Sequence, residues 1–161
     1  HITLSWQNDR LLRLTPLAES DDGKSRITKF ARHGQRRAHH KGALPNHAGW
    51  VLDQESFFTK HEFQRSQAYF SCVTSASKHR QSIKMTLPAG LYLEIIFSGT
   101  FCENAENLSR RIERFLQTND LEPVGNIYIL PLENHWFSCD CEQYVNKIFL
   151  KVIDKNMPSL T

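Results

Sequence analysis

The chain has 161 residues, 40% of them apolar and 23% charged, the make-up of a single globular domain large enough to bury a core. No apolar run approaches the roughly 18 residues of a membrane helix, and no signal-peptide pattern opens the chain, so a membrane partner is not expected. The net charge of +3 hides one basic block: between Gly23 and Leu52 there is no acid, while Lys24, Arg26, Lys29, Arg32, Arg36, Arg37 and Lys41 stand there with His33, His39, His40 and His47. Lacking interleaved aromatics or a nucleic-acid motif, residues 24–41 read as a solvated helix face, with contact to an acidic partner as the other reading.

Among the cysteines Cys72, Cys102, Cys139 and Cys141, only the last two are close, and C-x-C is not the pair spacing of a zinc knuckle. His135 lies near them, but tandem ligand pairs are absent. The expectation is therefore no metal, with reduced thiols in a cytoplasmic protein.

Ile2 to Trp6 and Leu11 to Leu14 read as strands around the turn-like Gln7-Asn8-Asp9, with Trp6 in the core. Ser20-Asp21-Asp22-Gly23 supplies turn and capping chemistry for a helix whose Ile27, Phe30 and Ala31 share one apolar face. Gly42 and Pro45 end it. Trp50 to Leu52 and Gln67 to Val73 follow as short strands with a polar connection between them.

A second cycle begins near Lys84. Pro88-Ala89-Gly90 is a turn, and Leu91 to Phe97 is the strongest strand of the chain, stopped by Gly99. From Asn104 to about Thr118, Ala105, Leu108, Ile112, Phe115 and Leu116 recur at helical spacing. Asn104 is placed to cap that helix, and Glu106 to pair with Arg110. Asn126 to Leu132 and Tyr144 to Ile153 close the chain as strands.

Each half thus reads strand, helix, strand, strand, with pseudo-repeats at about 1–78 and 79–156. Two βαββ units that pair their strands predict an α+β fold: one curved, mostly antiparallel sheet, two main helices packed on it by their apolar faces, and a central cleft. A cleft at such a seam is a natural small-molecule site. No Ser-His-Asp or Cys-His arrangement and no glycine-rich phosphate loop can be argued, so neither catalytic residue nor cofactor is assigned. The histidines of the basic block read as surface.

Leu87-Pro88-Ala89-Gly90-Leu91-Tyr92 is followed by Phe97-Ser98-Gly99-Thr100-Phe101, then Leu121-Glu122-Pro123-Val124-Gly125-Asn126-Ile127-Tyr128, then Glu142-Gln143-Tyr144. In order and spacing this series resembles the GyrI-like effector-binding family, and within it the C-terminal ligand domains of MerR-type multidrug-sensing transcription regulators. Gly49 to Asp53 and Ala68-Tyr69-Phe70 match more loosely. The resemblance implies a single effector-binding domain over 1–161, a small-molecule sensor whose aromatic-lined cleft takes apolar or aromatic compounds, cationic ones among them. It also implies that DNA is reached only through an upstream domain absent from this chain, which opens on His1, and that a dimer forms through the full-length protein.

Residue by residue, Tyr92, Glu142 and Tyr144 match pocket positions, and Tyr69 belongs to the looser match. A buried glutamate that the resemblance places after Tyr128 is Ile129 here, which predicts weaker binding of lipophilic cations, because a buried carboxylate offsets a cation's desolvation. Glu94 shares a strand face with Tyr92 and reads either as a pocket acid or as an edge-strand carboxylate in solvent. Trp50 and Trp136 are candidate platforms for a ring or a cation. The alternative function is a hydrolase of reactive electrophilic small molecules, implied by another branch of the family, with Glu142 and Tyr144, or Glu94 and Tyr92, as the acid/base pair.

Overall fold

A computed structural model of the chain describes residues 1–38, 48–62, 66–73, 83–133 and 144–157. Its elements are β1 (Ile2–Gln7), β2 (Arg10–Pro16), α1 (Gly23–Ala38), β3 (Gly49–Leu52), a short π-helical segment (Glu55–Lys60), β4 (Ala68–Val73), β5 (Ile83–Leu87), β6 (Gly90–Ser98), α2 (Phe101–Thr118), β7 (Leu121–Glu133) and β8 (Val145–Asp154). The strands form one sheet in the order β1-β6-β8-β7-β3-β4-β2-β5, and every pairing among the described residues is antiparallel. This is the α+β architecture expected from the sequence. Asn104 is not the cap of α2: Thr100 holds that position in extended conformation, and Asn104 reaches back to its carbonyl at 2.7 Å from inside the first turn.

The strand order dictates the curvature. β1 and β2 are separated by only Asn8 and Asp9, yet β1 lies at one edge and β2 next to the other. Six inter-strand steps of a flat sheet would part them by about 29 Å. Three residues of extended chain reach only about 11 Å. The sheet must therefore curl until its ends approach. β5 and β6 make the same crossing through Pro88 and Ala89, and the Asp9 carboxylate accepts a hydrogen bond from the Ala89 N–H where the two crossings meet.

Side chains alternate across each strand, so the curled sheet has a convex and a concave face. α2 packs on the convex face, burying Ala105, Leu108, Ile112 and Leu116 against Leu93, Ile95, Ile127, Ile129, Ile148 and Leu150. Full burial of each leucine or isoleucine among them contributes about 1.5–3 kcal/mol. Phe115 packs at the margin of this core, only partly buried.

α1 lies on the same side but does not bury its apolar face. Ile27 is 72% and Phe30 41% exposed, and Ala31 is exposed as well. The strands beneath explain this, for they present Arg13, Thr15 and Ser71. The helix turns His33 onto that polar surface, where it is 1% exposed and bonds Thr15 Oγ1 through Nδ1 and Ser71 Oγ through Nε2, both at 2.7 Å. Arg13 donates to the His33 carbonyl at 2.7 Å. His33 is thus a buried connector and not a surface residue. Trp6 is likewise not core: it is 70% exposed, because β1 is an edge strand beyond the reach of α2.

Candidate functional site

The concave face carries the second apolar cluster: Leu12, Val51, Ala68, Phe70, Leu87, Tyr92, Tyr128 and Phe149 are buried, with Leu14, Cys72, Met85 and Leu130 partly buried beside them. Among the described residues every member of this cluster comes from a strand. No helix among the described residues covers them, and the curl of the sheet packs them against one another. These residues form an apolar, aromatic-rich cluster on the face of the sheet opposite α2, drawn from β2, β3, β4, β5, β6, β7 and β8.

Its aromatic floor is ordered. Tyr128 and Phe149, paired across β7 and β8, stack at 5.2 Å with an interplanar angle of 11°. Phe70 meets both edge-on, at 5.5 Å from Tyr128 and 6.0 Å from Phe149. Edge-to-face and offset contacts of this kind suit the ring quadrupole and hold the rings in fixed orientations. Tyr92 completes the floor and donates its hydroxyl to the Pro88 carbonyl at 2.7 Å, so its ring is tethered to the β5–β6 crossing.

Over this floor lies a cation of the chain itself. The Arg10 guanidinium carbon is 4.9 Å from the Tyr92 ring centroid and 4.8 Å from that of Phe149. Both contacts are within cation–π range. Arg10 shares the strand phase of Leu12 and Leu14, the opening residue of β2 turned inward where the two crossings meet. Its Nε and Nη2 atoms are buried without a hydrogen-bond partner.

Other polar groups feel that charge. Burial pushes the Tyr128 hydroxyl up to about 12, with Tyr92 adding to the rise and Arg10 opposing it. Tyr92 is raised by burial and lowered in part by Arg10. The Cys72 thiol is likewise raised by burial against the pull of Arg10 and Lys147. Glu94 pairs with Lys147 at 3.6 Å, on side chains 19% and 25% exposed.

Of the residues singled out from the sequence, Tyr92 and Glu94 share the concave face. Glu94 is neither a free carboxylate in the cleft nor one in open solvent, being ion-paired with Lys147. Trp50 and Ile129 pair across β3 and β7 and point to the convex side, where Ile129 is fully buried beneath α2 and Trp50 flanks the same core. Tyr69 also points there, with its hydroxyl on the Arg26 carbonyl at 3.2 Å and its ring against Phe30. Tyr144 is half-buried just before β8, and its carbonyl accepts from the Gly99 N–H at 2.7 Å. Glu142 and Trp136 lie outside the described residues, as do Cys139, Cys141 and His135.

Sequence reasoning missed Arg10, Phe70 and Phe149. A signal existed. Phe149 is the lone aromatic in the phase of Lys147 and Lys151, opposite the apolar phase of Ile148, Leu150 and Val152. Arg10 is a charge in phase with two leucines.

No protein-family model and no curated protein matches the sequence. Among solved structures, the EcmrR C-terminal domain superposes with a TM-score of 0.70 at 12% identity, covering 96% of this chain and 98% of that one. In the EcmrR–DNA complex the match is 0.72 at 13% identity, and the chain spans 57% of the EcmrR polypeptide there. SAV2435 bound to tetraphenylphosphonium gives 0.54 at 13% identity, with 95% of this chain and 94% of that one covered. A hydrolase encoded by lin2189 from Listeria innocua gives 0.65 at 6% identity, with coverage of 94% and 91%. The likeness is one of fold, and the chain has the fold of the GyrI-like effector-binding domains found at the C-terminus of MerR-type regulators.

Proposed function

We propose that this chain is the ligand-binding regulatory domain of a bacterial transcription regulator, receiving an apolar or aromatic molecule in its concave cleft. One observation carries the reading: the concave face is apolar and aromatic, and among the described residues no helix covers it. A ligand seated there touches strands of both halves at once and so biases their relative position. Coupled to a DNA-binding domain, that bias shifts the balance between two states of the regulator. Two relatives of the same fold accord with the reading, EcmrR in complex with DNA and SAV2435 with a bound phosphonium. The regulator would work in the cytoplasm, where its DNA is.

Hydrolysis is less well supported, although one relative is a hydrolase. Of the two acid/base pairs the sequence offers, Tyr92 donates its proton to the Pro88 carbonyl and Glu94 is held by Lys147, so that pair is not poised to activate water, while Glu142 of the other pair lies outside the described residues. Titration with Nile red, a neutral dye that brightens in apolar surroundings, tests the cleft. Cys72 is half-buried on its wall, and Cys72→Trp fills the space. The variant should lose dye binding while keeping its circular dichroism. Equal binding by wild type and a folded Cys72→Trp would move the site elsewhere.

A further inference from the structure

We infer that the ligand of this cleft is an organic anion, a carboxylate on a flat apolar body, held through Arg10. The inference rests on the concave cleft being the ligand site and goes on to name the ligand's charge. A guanidinium is protonated at every physiological pH and carries five N–H donors in a rigid plane. The Arg10 guanidinium lies over the rings of Tyr92 and Phe149, its carbon 4.9 and 4.8 Å from their centroids. Nε and Nη2, which lie along one edge, are buried and unpartnered.

Two parallel donors on a single edge form the fork that a carboxylate accepts in bidentate fashion. Buried donors without acceptors are costly, and a ligand that supplies two acceptors removes the cost on binding. The two acids near these rings are engaged elsewhere, Glu94 in an ion pair with Lys147 and Asp9 as acceptor of the Ala89 N–H. The described charged groups that meet in this region are therefore three cations, Arg10, Lys147 and Lys151, against two carboxylates, Asp9 and Glu94. Ile129 lies on the opposite face, so no acid at that position could have balanced Arg10. A lipophilic cation would have to displace the guanidinium from the rings or sit beside a like charge. Leu12, Leu87, Phe70 and Phe149 wall the rest of the cleft and call for an apolar body, not a bare inorganic anion.

Isothermal titration with three compounds of one shape tests this: 2-naphthoate, the neutral 2-naphthamide, and a naphthylmethyl-trimethylammonium cation. Wild type should bind the carboxylate about 10- to 100-fold more tightly than the amide, the range set by hydrogen bonds to a charged group. The cation should bind most weakly. Arg10→Met should abolish the preference for carboxylate over amide, and Arg10→Gln carries the same comparison if the methionine variant does not fold. If the amide binds wild type as well as the carboxylate, or if the preference survives loss of the guanidinium, the anion inference is overturned and the cleft stands as a neutral site. If the cation binds best, it is overturned as well. If none of the three binds at millimolar concentration, the cleft is not the ligand site and both readings fall.

Discussion

Gly49→Ala is a small change with a large expected effect. Gly49 opens β3 between β4 and β7, opposite Phe70, and a methyl added there would meet Phe70 Cε1 and Cζ and stand 2.5 Å from the Ile129 carbonyl oxygen. Where space allows, Gly→Ala stabilises by about 0.4–1 kcal/mol through the unfolded chain. Here the new Cβ clashes with a ring packed in the aromatic floor and with a ladder carbonyl. Overpacking costs about 1–3 kcal/mol. Displacing the carbonyl weakens a β3–β7 hydrogen bond worth about 0.5–1.5 kcal/mol. The net expectation is a loss of about 1–3 kcal/mol, with the clash outweighing the entropic gain. Urea unfolding reads it directly: with a slope of about 1–3 kcal/mol per molar, the midpoint should fall by about 1 M. Phe70→Leu relieves the ring contacts, so the double variant should lose less than the sum of the two single losses. An unchanged midpoint for Gly49→Ala would refute the packing described at this corner of the cleft.

Leu108→Ala in α2 should cost about 2–5 kcal/mol by chemical denaturation, and Phe115→Ala less, because Leu108 is buried in the convex core while Phe115 is at its margin. A larger loss at Phe115 would mean that the helix is rotated. His33→Leu leaves Thr15 and Ser71 without their imidazole partners, a cost of about 1–3 kcal/mol per buried group, and should lower the melting temperature by about 2–4 °C per kcal/mol. An unshifted melting point would argue against the buried imidazole. The raised pKa of Tyr128 means that the unfolded chain loses this proton near pH 10 and the folded chain only near pH 12. The stability it secures is whole below pH 10 and is lost progressively as pH rises between those values. Tyr128→Phe should flatten that decline in urea midpoints measured from pH 9 to 12, and an identical decline in both proteins would contradict the burial of the hydroxyl.

Local periodicity accounts for what was readable in the residues. α2 declares its buried face because Ala105, Leu108, Ile112 and Leu116 repeat at helical spacing and the strands below answer with isoleucine and leucine. β6 and the turn before it are equally plain, since alternation and Pro88-Ala89-Gly90 depend on neighbours in the chain. α1 shows the limit of the same logic. Its apolar stripe looked like a core face, but the strand surface under it is polar, so His33 docks and Ile27 faces solvent. Trp6 reads as core until β1 is known to be an edge. The cleft depends still more on distant partners. Phe70, Tyr92, Tyr128 and Phe149 come from four strands, and Arg10 joins them from a fifth. Alternation sorts each strand's side chains into two sets, but it does not say which set a helix will cover or which will face inward. That choice follows from the strand order and the curl it forces on the sheet, and both arise from pairings between residues far apart in the chain, such as Arg10 with Leu87 and Tyr128 with Phe149.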